Sequence, residues 1–299
     1  MKSSQIPNLN PGDTIAFVSS ARKVSTDDLL FAKTRLESWG LKVVYSKNLF
    51  QEENQFSGSI VQRRQDLQEV LDTENIKAVF FVRGGYGSVQ IVDSIDWSNF
   101  KRKPKWLVGF SDITVFHSHI QQNLGIATLH GPMPITYSTN TESSIQNLKK
   151  ILFGEEVSLS IKAHPFNRVG IAETEIVGGN LSILYSLLAS GSQINTDGKI
   201  LFIEDLDEYL YHIDRMMYAL KRAGILKNLA GLIIGGMSDM NDNSIPFGKN
   251  AEEIIRDVVS EYQYPVAFDF TAGHIEDNQP IVFGEKVKFI VTATHTTLG

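Results

Sequence analysis

Short apolar runs alternate with stretches of helical period through the first half of the chain. Thr14 to Val18 predicts a strand, and Ser25 to Gly40 a helix with Leu29, Leu30, Ala32 and Leu36 on one face. Leu41 to Tyr45 reads as the next strand. Ile60 to Leu71 reads as a polar-rich helix with Ile60, Leu67, Val70 and Leu71 inward. Ala78 to Val82 has the unbroken apolar character of a buried strand, and Gly84-Gly85-Tyr86-Gly87 ends it. A short helix follows through Val89, Ile91 and Val92. Trp106 to Phe110 predicts a strand, the residues after Ser111 a helix to about Asn123, and Ile126 to Leu129 a further strand. Such alternation calls for a parallel sheet covered by helices on both faces.

Residues 153 to 172 break the rhythm with Gly, Pro and charges. We take 1–155 as a first α/β domain, 156–172 as a linker and 173–299 as a second domain. Beyond the linker a strand-like stretch runs to Val177, then a helix from Asn180 to about Ser190 and a strand from Lys199 to Ile203. A helix from about Asp207 to Ala223 is closed by Gly224. A strand from Leu229 to Ile234, a helix near Ala251 to Tyr262, and strands near Val266 and from Ile281 to Val291 complete it. The second domain is therefore α/β and ends in β structure.

Composition narrows the function classes. The chain has 299 residues, 42% hydrophobic and 21% charged, as a folded globular protein does. Its net charge of −6 and the lack of a long basic run argue against nucleic acid as a partner. Lys101-Arg102-Lys103 reads as a solvated surface. No run of roughly eighteen apolar residues predicts a membrane helix, and the first residues lack the apolar core of a signal peptide. A cytoplasmic location and no membrane partner are the expectations. With no cysteine, a thiol nucleophile, disulfides and thiolate metal sites are all excluded.

Four stretches carry candidate chemistry. In GFSDIT, residues 109–114, Ser111 follows a strand and precedes a helix. Ligands gather at such strand ends in α/β folds, and the Asp112 amide could meet a developing negative charge there. Ile113 replaces the last Gly of a G-x-S-x-G elbow. Ser111 or Asp112 as a simple helix cap is the other reading. In VRGGYGS, residues 82–88, the glycines allow close backbone approach to a ligand, either as a tight turn or as a second oxyanion donor. The loop matches neither a dinucleotide fingerprint nor a P-loop. In the third stretch, residues 200–215, Asp205, Asp207 and Glu208 suit a helix start. Glu204 instead ends an apolar strand and needs a partner, for which a histidine is suited. In AGHIEDNQP, residues 272–280, His274 sits in a loop after a strand. His117 and His119 are too close in sequence to share a helix face, and His212 reads as a helical neighbour of Glu208.

These stretches resemble the LD-carboxypeptidase family of serine peptidases, which includes muramoyl-tetrapeptide carboxypeptidases and microcin C self-immunity proteins. The resemblance rests on RGGYGS at 83–88, GFSDIT at 109–114, HGPM at 130–133, GGNL at 178–181, LFIED at 201–205 and AGHIEDN at 272–278, in that order. It implies a flavodoxin-like first domain and a site between domains. It implies Ser111 as nucleophile, His274 as general base, Glu204 as the acid that orients it, and the amides of Gly85 and Asp112 as oxyanion hole. Arg83 and Tyr86 are candidate substrate contacts. The implied substrate is a murein tetrapeptide losing its terminal D-alanine, in the cytoplasm and by a homodimer, with no metal or cofactor. Hydrolysis of peptidyl-nucleotide amides, as in the microcin branch, is the alternative, and a non-catalytic anion-binding protein is another. Activity is expected to fall below about pH 6, because the base must be neutral. Two positions depart from the family pattern: Gln90 stands where many members carry Arg, and Ala272 where the histidine loop often begins with Phe. Both are expected to alter the substrate pocket.

Overall fold

A computed structural model describes residues 6–299. Five strands follow the expected order: β1 (Thr14–Val18), β2 (Lys42–Tyr45), β3 (Ile76–Phe81), β4 (Trp106–Gly109) and β5 (Thr128–His130). All their pairings are parallel, in the spatial order β2-β1-β3-β4-β5. That order reverses direction between β1 and β3, a topological switch point of the kind flavodoxin-like sheets use to bind ligands. Helices α1 (Thr26–Ser38), α2 (Ile60–Asp72), α3 (Ser98–Arg102), α4 (Thr114–Leu124) and α5 (Glu142–Leu152) pack with it around one large core. Ser25 and Ser59 start α1 and α2 with reciprocal capping boxes. The helix α5 has no counterpart in the sequence reading. Its buried Ile145, Leu148 and Leu152 have helical spacing.

The second sheet joins β6 (Leu159–Lys162), β7 (Gly170–Asn180), β8 (Ile200–Leu206), β9 (Gly231–Ser238) and β10 (Val266–Ala267). Between them run α6 (Leu181–Ser186), α7 (Leu210–Arg222) and α8 (Ala251–Val258). The segment 156–172 is more than a connection, because β6 is an edge strand of this sheet. Its short, half-exposed alternation is too weak a signal to stand out from the surrounding polar residues.

The expected strand from Ile281 to Val291 is two strands. β11 (Ile281–Phe283) adds antiparallel to β5 in the first sheet. Gly284, at φ +84°, turns the chain, and β12 (Lys286–Val291) pairs with β7 in the second. A last strand, β13 (His295–Leu298), follows it. The chain thus returns to the first sheet late in its course. The complete orders are β11-β5-β4-β3-β1-β2 and β10-β9-β8-β7-β12-β13-β6.

Candidate active site

The strand ends β1, β3 and β4 open onto a cleft of about 470 Å³ shared with the end of β8. Ser111, His274, Arg22, Arg83, Asn180 and Asp205 are among its lining residues. A larger hollow of about 660 Å³ lies where β1, β3 and β4 begin. There Lys105 is occupied by the carbonyls of Val70 and Thr73, and burial holds its amine down at about 8.

Ser111 has φ +62°, the left-handed region that non-glycine residues avoid. That backbone follows from its place directly after β4, where the chain must turn at once into the 3₁₀ turn Ser111–Ile113 and then α4. Neither residue caps the helix, so the capping alternative is overturned: no side-chain cap bond exists at this end of α4. Asp112 turns away instead. Its buried carboxylate accepts from Ser88 N at 2.9 Å, which ties this turn to the glycine loop. Burial raises the Asp112 pKa despite that bond and the nearby charge of Arg63.

The glycine loop lies directly beside the serine. A side chain at Gly84 would meet Ser111 Cβ at 3.0 Å and Oγ at 3.1 Å. Gly85 has φ +107°. Among the described residues, the amides of Gly85 and Asp112 donate no hydrogen bond, so both remain available to a ligand.

His274 reaches the same cleft from the loop after β10. Its carbonyl accepts from Ser238 Oγ at the end of β9. Glu204, fully buried in β8, accepts His274 N at 3.1 Å and His274 Nδ1 at 2.6 Å on one oxygen. The sequence-level requirement for a partner is met by a histidine. Gly273, at φ +106°, permits this approach, since a Cβ there would lie 2.7 Å from Glu204 Oε2. With Nδ1 donating to a carboxylate, a neutral ring carries its lone pair on Nε2, which has no hydrogen bond among the described residues. Burial pulls the His274 pKa down, but the charge and hydrogen bond of Glu204 and the charge of Asp205 outweigh it, and the net direction is up.

Asp205 does not stand at a helix start. β8 continues through it past an irregularity between Ile203 and Asp205, and α7 begins only at Leu210. It is buried and accepts Asn180 Nδ2 and the amides of Ser182 and Leu206 at 2.8–2.9 Å. Burial, reinforced by the Glu204 charge, raises its pKa to about 7. From the sequence alone Asp205 is only an acid at a helix start, and neither Asn180 nor Arg22 is marked as a site residue. The available signal was position, because each follows or ends a strand that points at the cleft.

The remaining candidates divide. Arg83 lines the cleft, but its Nη1 donates to the Lys23 carbonyl at 3.1 Å. Tyr86 is not among the lining residues and instead packs near Phe56, with ring centroids 6.2 Å apart. Gln90 and Ala272 are not among the residues that line the cleft. Gln90 accepts from Arg63 Nη2 at 2.7 Å behind the glycine loop, and Ala272 is buried in the second domain's core. His117 bonds Thr128 Oγ1 and the Gly109 carbonyl, and His212 pairs with Glu208. Among the described residues one group, His164, Glu252 and Asp269, has donor atoms within 4.8 Å of one another, and it lies outside the cleft.

An alcohol on a strained turn, an imidazole oriented by a buried carboxylate and two uncommitted amides at one cleft make up the equipment of acyl-transfer hydrolases. Comparison with known proteins gives the class its particular family. Models of the LD-carboxypeptidase N-terminal and C-terminal domains match residues 15–131 and 173–289. A Bacillus subtilis protein named "Probable murein peptide carboxypeptidase" is 35% identical, over 93% of this chain and 89% of its own. The chain belongs to the LD-carboxypeptidase family. Among solved structures, the muramoyltetrapeptide carboxypeptidase of Oxalobacter formigenes shares the fold with TM-score 0.87 at 24% identity, over 95% and 97% of the two chains. The microcin C7 self-immunity protein in complex with aspartyl sulfamoyl adenosine shares it with TM-score 0.86 at 21% identity, over 97% of each. Both likenesses are of fold.

Proposed function

We propose that the protein is a serine LD-carboxypeptidase that releases the terminal D-alanine of murein tetrapeptide during cell-wall recycling. The observation that carries the site assignment is that Ser111 and His274 line one cleft, with His274 Nδ1 held at 2.6 Å by the fully buried carboxylate of Glu204. The family membership and the murein-peptide name of the Bacillus subtilis relative support the substrate. The division at 1–155 and 173–299 goes with this reading, and the two matched segments support it.

In this mechanism Ser111 Oγ attacks the carbonyl carbon of the L,D bond while His274 Nε2 takes its proton. Glu204 fixes the tautomer and stabilises the imidazolium. The Gly85 and Asp112 amides receive the oxyanion. On collapse, His274 passes its proton to the departing amine of D-alanine, leaving an acyl group on Ser111. Water, deprotonated by the same imidazole, then releases the shortened peptide. Purified protein should release D-alanine from the tetrapeptide, and Ser111→Ala should lower kcat by at least about 10⁴-fold. Release from the unaltered protein of nothing but aminoacyl groups from peptidyl-nucleotide amides would overturn the murein assignment. The reading extends to a cytoplasmic homodimer. Cell fractionation and sedimentation velocity test these two points.

A further inference from the structure

A carboxypeptidase must recognise a free carboxylate one residue beyond the bond it cuts. We propose that Arg22 is the residue that holds it and so restricts the enzyme to the chain end. This rests on the carboxypeptidase reading above.

Arg22 follows β1, and the glycine loop follows β3, so the two flank the switch point of the first sheet. The Arg22 backbone is fixed at both ends. Its amide donates to the Gly84 carbonyl at 3.4 Å, and its carbonyl accepts from Ser19 Oγ at 2.9 Å. From this anchor the side chain lies across Gly85. A Cβ at Gly85 would fall 2.6 Å from Arg22 Cδ and Nε and 2.8 Å from Cγ. The absence of a side chain at Gly85 therefore serves two purposes: it frees the amide and makes room for the guanidinium stem.

Both the loop and Arg22 line the cleft beside Ser111. Among the described residues the guanidinium has no hydrogen bond and no ion pair, so its fork is free for an incoming anion. The cleft's other cation, Arg83, already donates to the Lys23 carbonyl. The β8 side of the cleft presents Asp205, Asp207 and Glu208. Negative charge on that side disfavours a carboxylate there, which supports placing the carboxylate of the leaving D-amino acid toward Arg22. A bidentate guanidinium–carboxylate contact at that point also fixes the distance from the chain end to Ser111, which an endopeptidase has no use for.

The test compares the tetrapeptide with its C-terminal carboxamide. The unaltered enzyme should prefer the free acid in kcat/KM. Arg22→Ala should lower kcat/KM on the acid by about 10- to 100-fold and change it on the amide by less than about threefold. Arg22→Lys should restore part of the preference. Calorimetric binding of both peptides to Ser111→Ala protein, with and without Arg22→Ala, reads the same contact without turnover. Equal losses on acid and amide, or a preference that survives Arg22→Ala, would overturn the assignment to Arg22. So would a preference erased by Arg83→Ala and untouched by Arg22→Ala. If the unaltered enzyme releases no D-alanine, the carboxypeptidase reading itself fails, and the binding arm still judges Arg22.

Discussion

Ser111 sits at φ +62°, where a helix cap would be extended, so the strain that costs about 1–3 kcal/mol points to function before any partner is considered. No residue-type pattern announces that angle, and from the sequence the cap and the nucleophile could not be separated. Glu204 was more readable, because a carboxylate ending an apolar strand demands a partner. What the sequence does not give is that one oxygen of Glu204 accepts from both the backbone amide and the ring Nδ1 of His274. That detail sets the pH behaviour. In the proposed mechanism the imidazole must be neutral. Its pKa is raised, so activity is lost as the pH falls through a value above 6.5, a limb higher than the expected pH 6. Glu204→Gln removes the main influences that raise it and leaves burial to pull it down. The acidic limb of kcat/KM should then move to lower pH, while kcat falls by about 10³- to 10⁴-fold from loss of tautomer control. A limb that stays in place in this variant would show that His274 is not the titrating base.

Among the elements, the glycine loop shows how precision is built from outside the cleft. It is held from one side by Asp112 and from the other by Arg63 of α2. Arg63 is buried; its Nη1 donates to the carbonyls of Ser20 and Gly87, its Nη2 to Gln90, and its guanidinium lies 4.7 Å from the Phe56 ring centroid. In the sequence, Arg63 is one more charge in a polar helix, because helical periodicity reports burial only for apolar residues. The Gln90 departure makes sense here, since Gln90 completes the acceptor set of that guanidinium. Arg63→Ala leaves the Ser20 and Gly87 carbonyls without this donor and should destabilise the protein by about 2–4 kcal/mol in denaturant unfolding. Because the loop carries the proposed oxyanion amide, kcat should fall with it, and Arg63→Lys should recover little, lacking the planar fork. Wild-type stability and kcat in Arg63→Ala would show that the loop holds its shape unaided.

At the scale of the whole molecule, the proposed catalytic groups come from two sheets, and their placement depends on how the sheets are joined. The alternation of strands and helices foretold the parallel first sheet, but not β11. Three apolar residues at a strand's period look the same whichever sheet they join, and only pairing with β5 decides it. Phe283 of β11 marks the junction. It is fully buried, with its ring centroid 5.5 Å from His117, 5.3 Å from His130 and 6.0 Å from Phe202 of the second sheet. One residue later, Gly284 N donates to the Ile176 carbonyl of β7 at 2.8 Å. A chain stitched this way should unfold as one unit. The three tryptophans, Trp39, Trp97 and Trp106, all lie in the first domain, so their fluorescence reports that domain, while far-UV circular dichroism reports both. The two signals should give coincident transitions. Phe283→Ala should shift both together by about 3–5 kcal/mol, the cost of a large buried cavity. If the fluorescence transition stayed at its original midpoint while the circular dichroism transition split, β11 would be a passive edge strand. The site would then be aligned by contacts such as Asn180 N to Thr114 Oγ1 at 2.9 Å, which dock β7 against the start of α4.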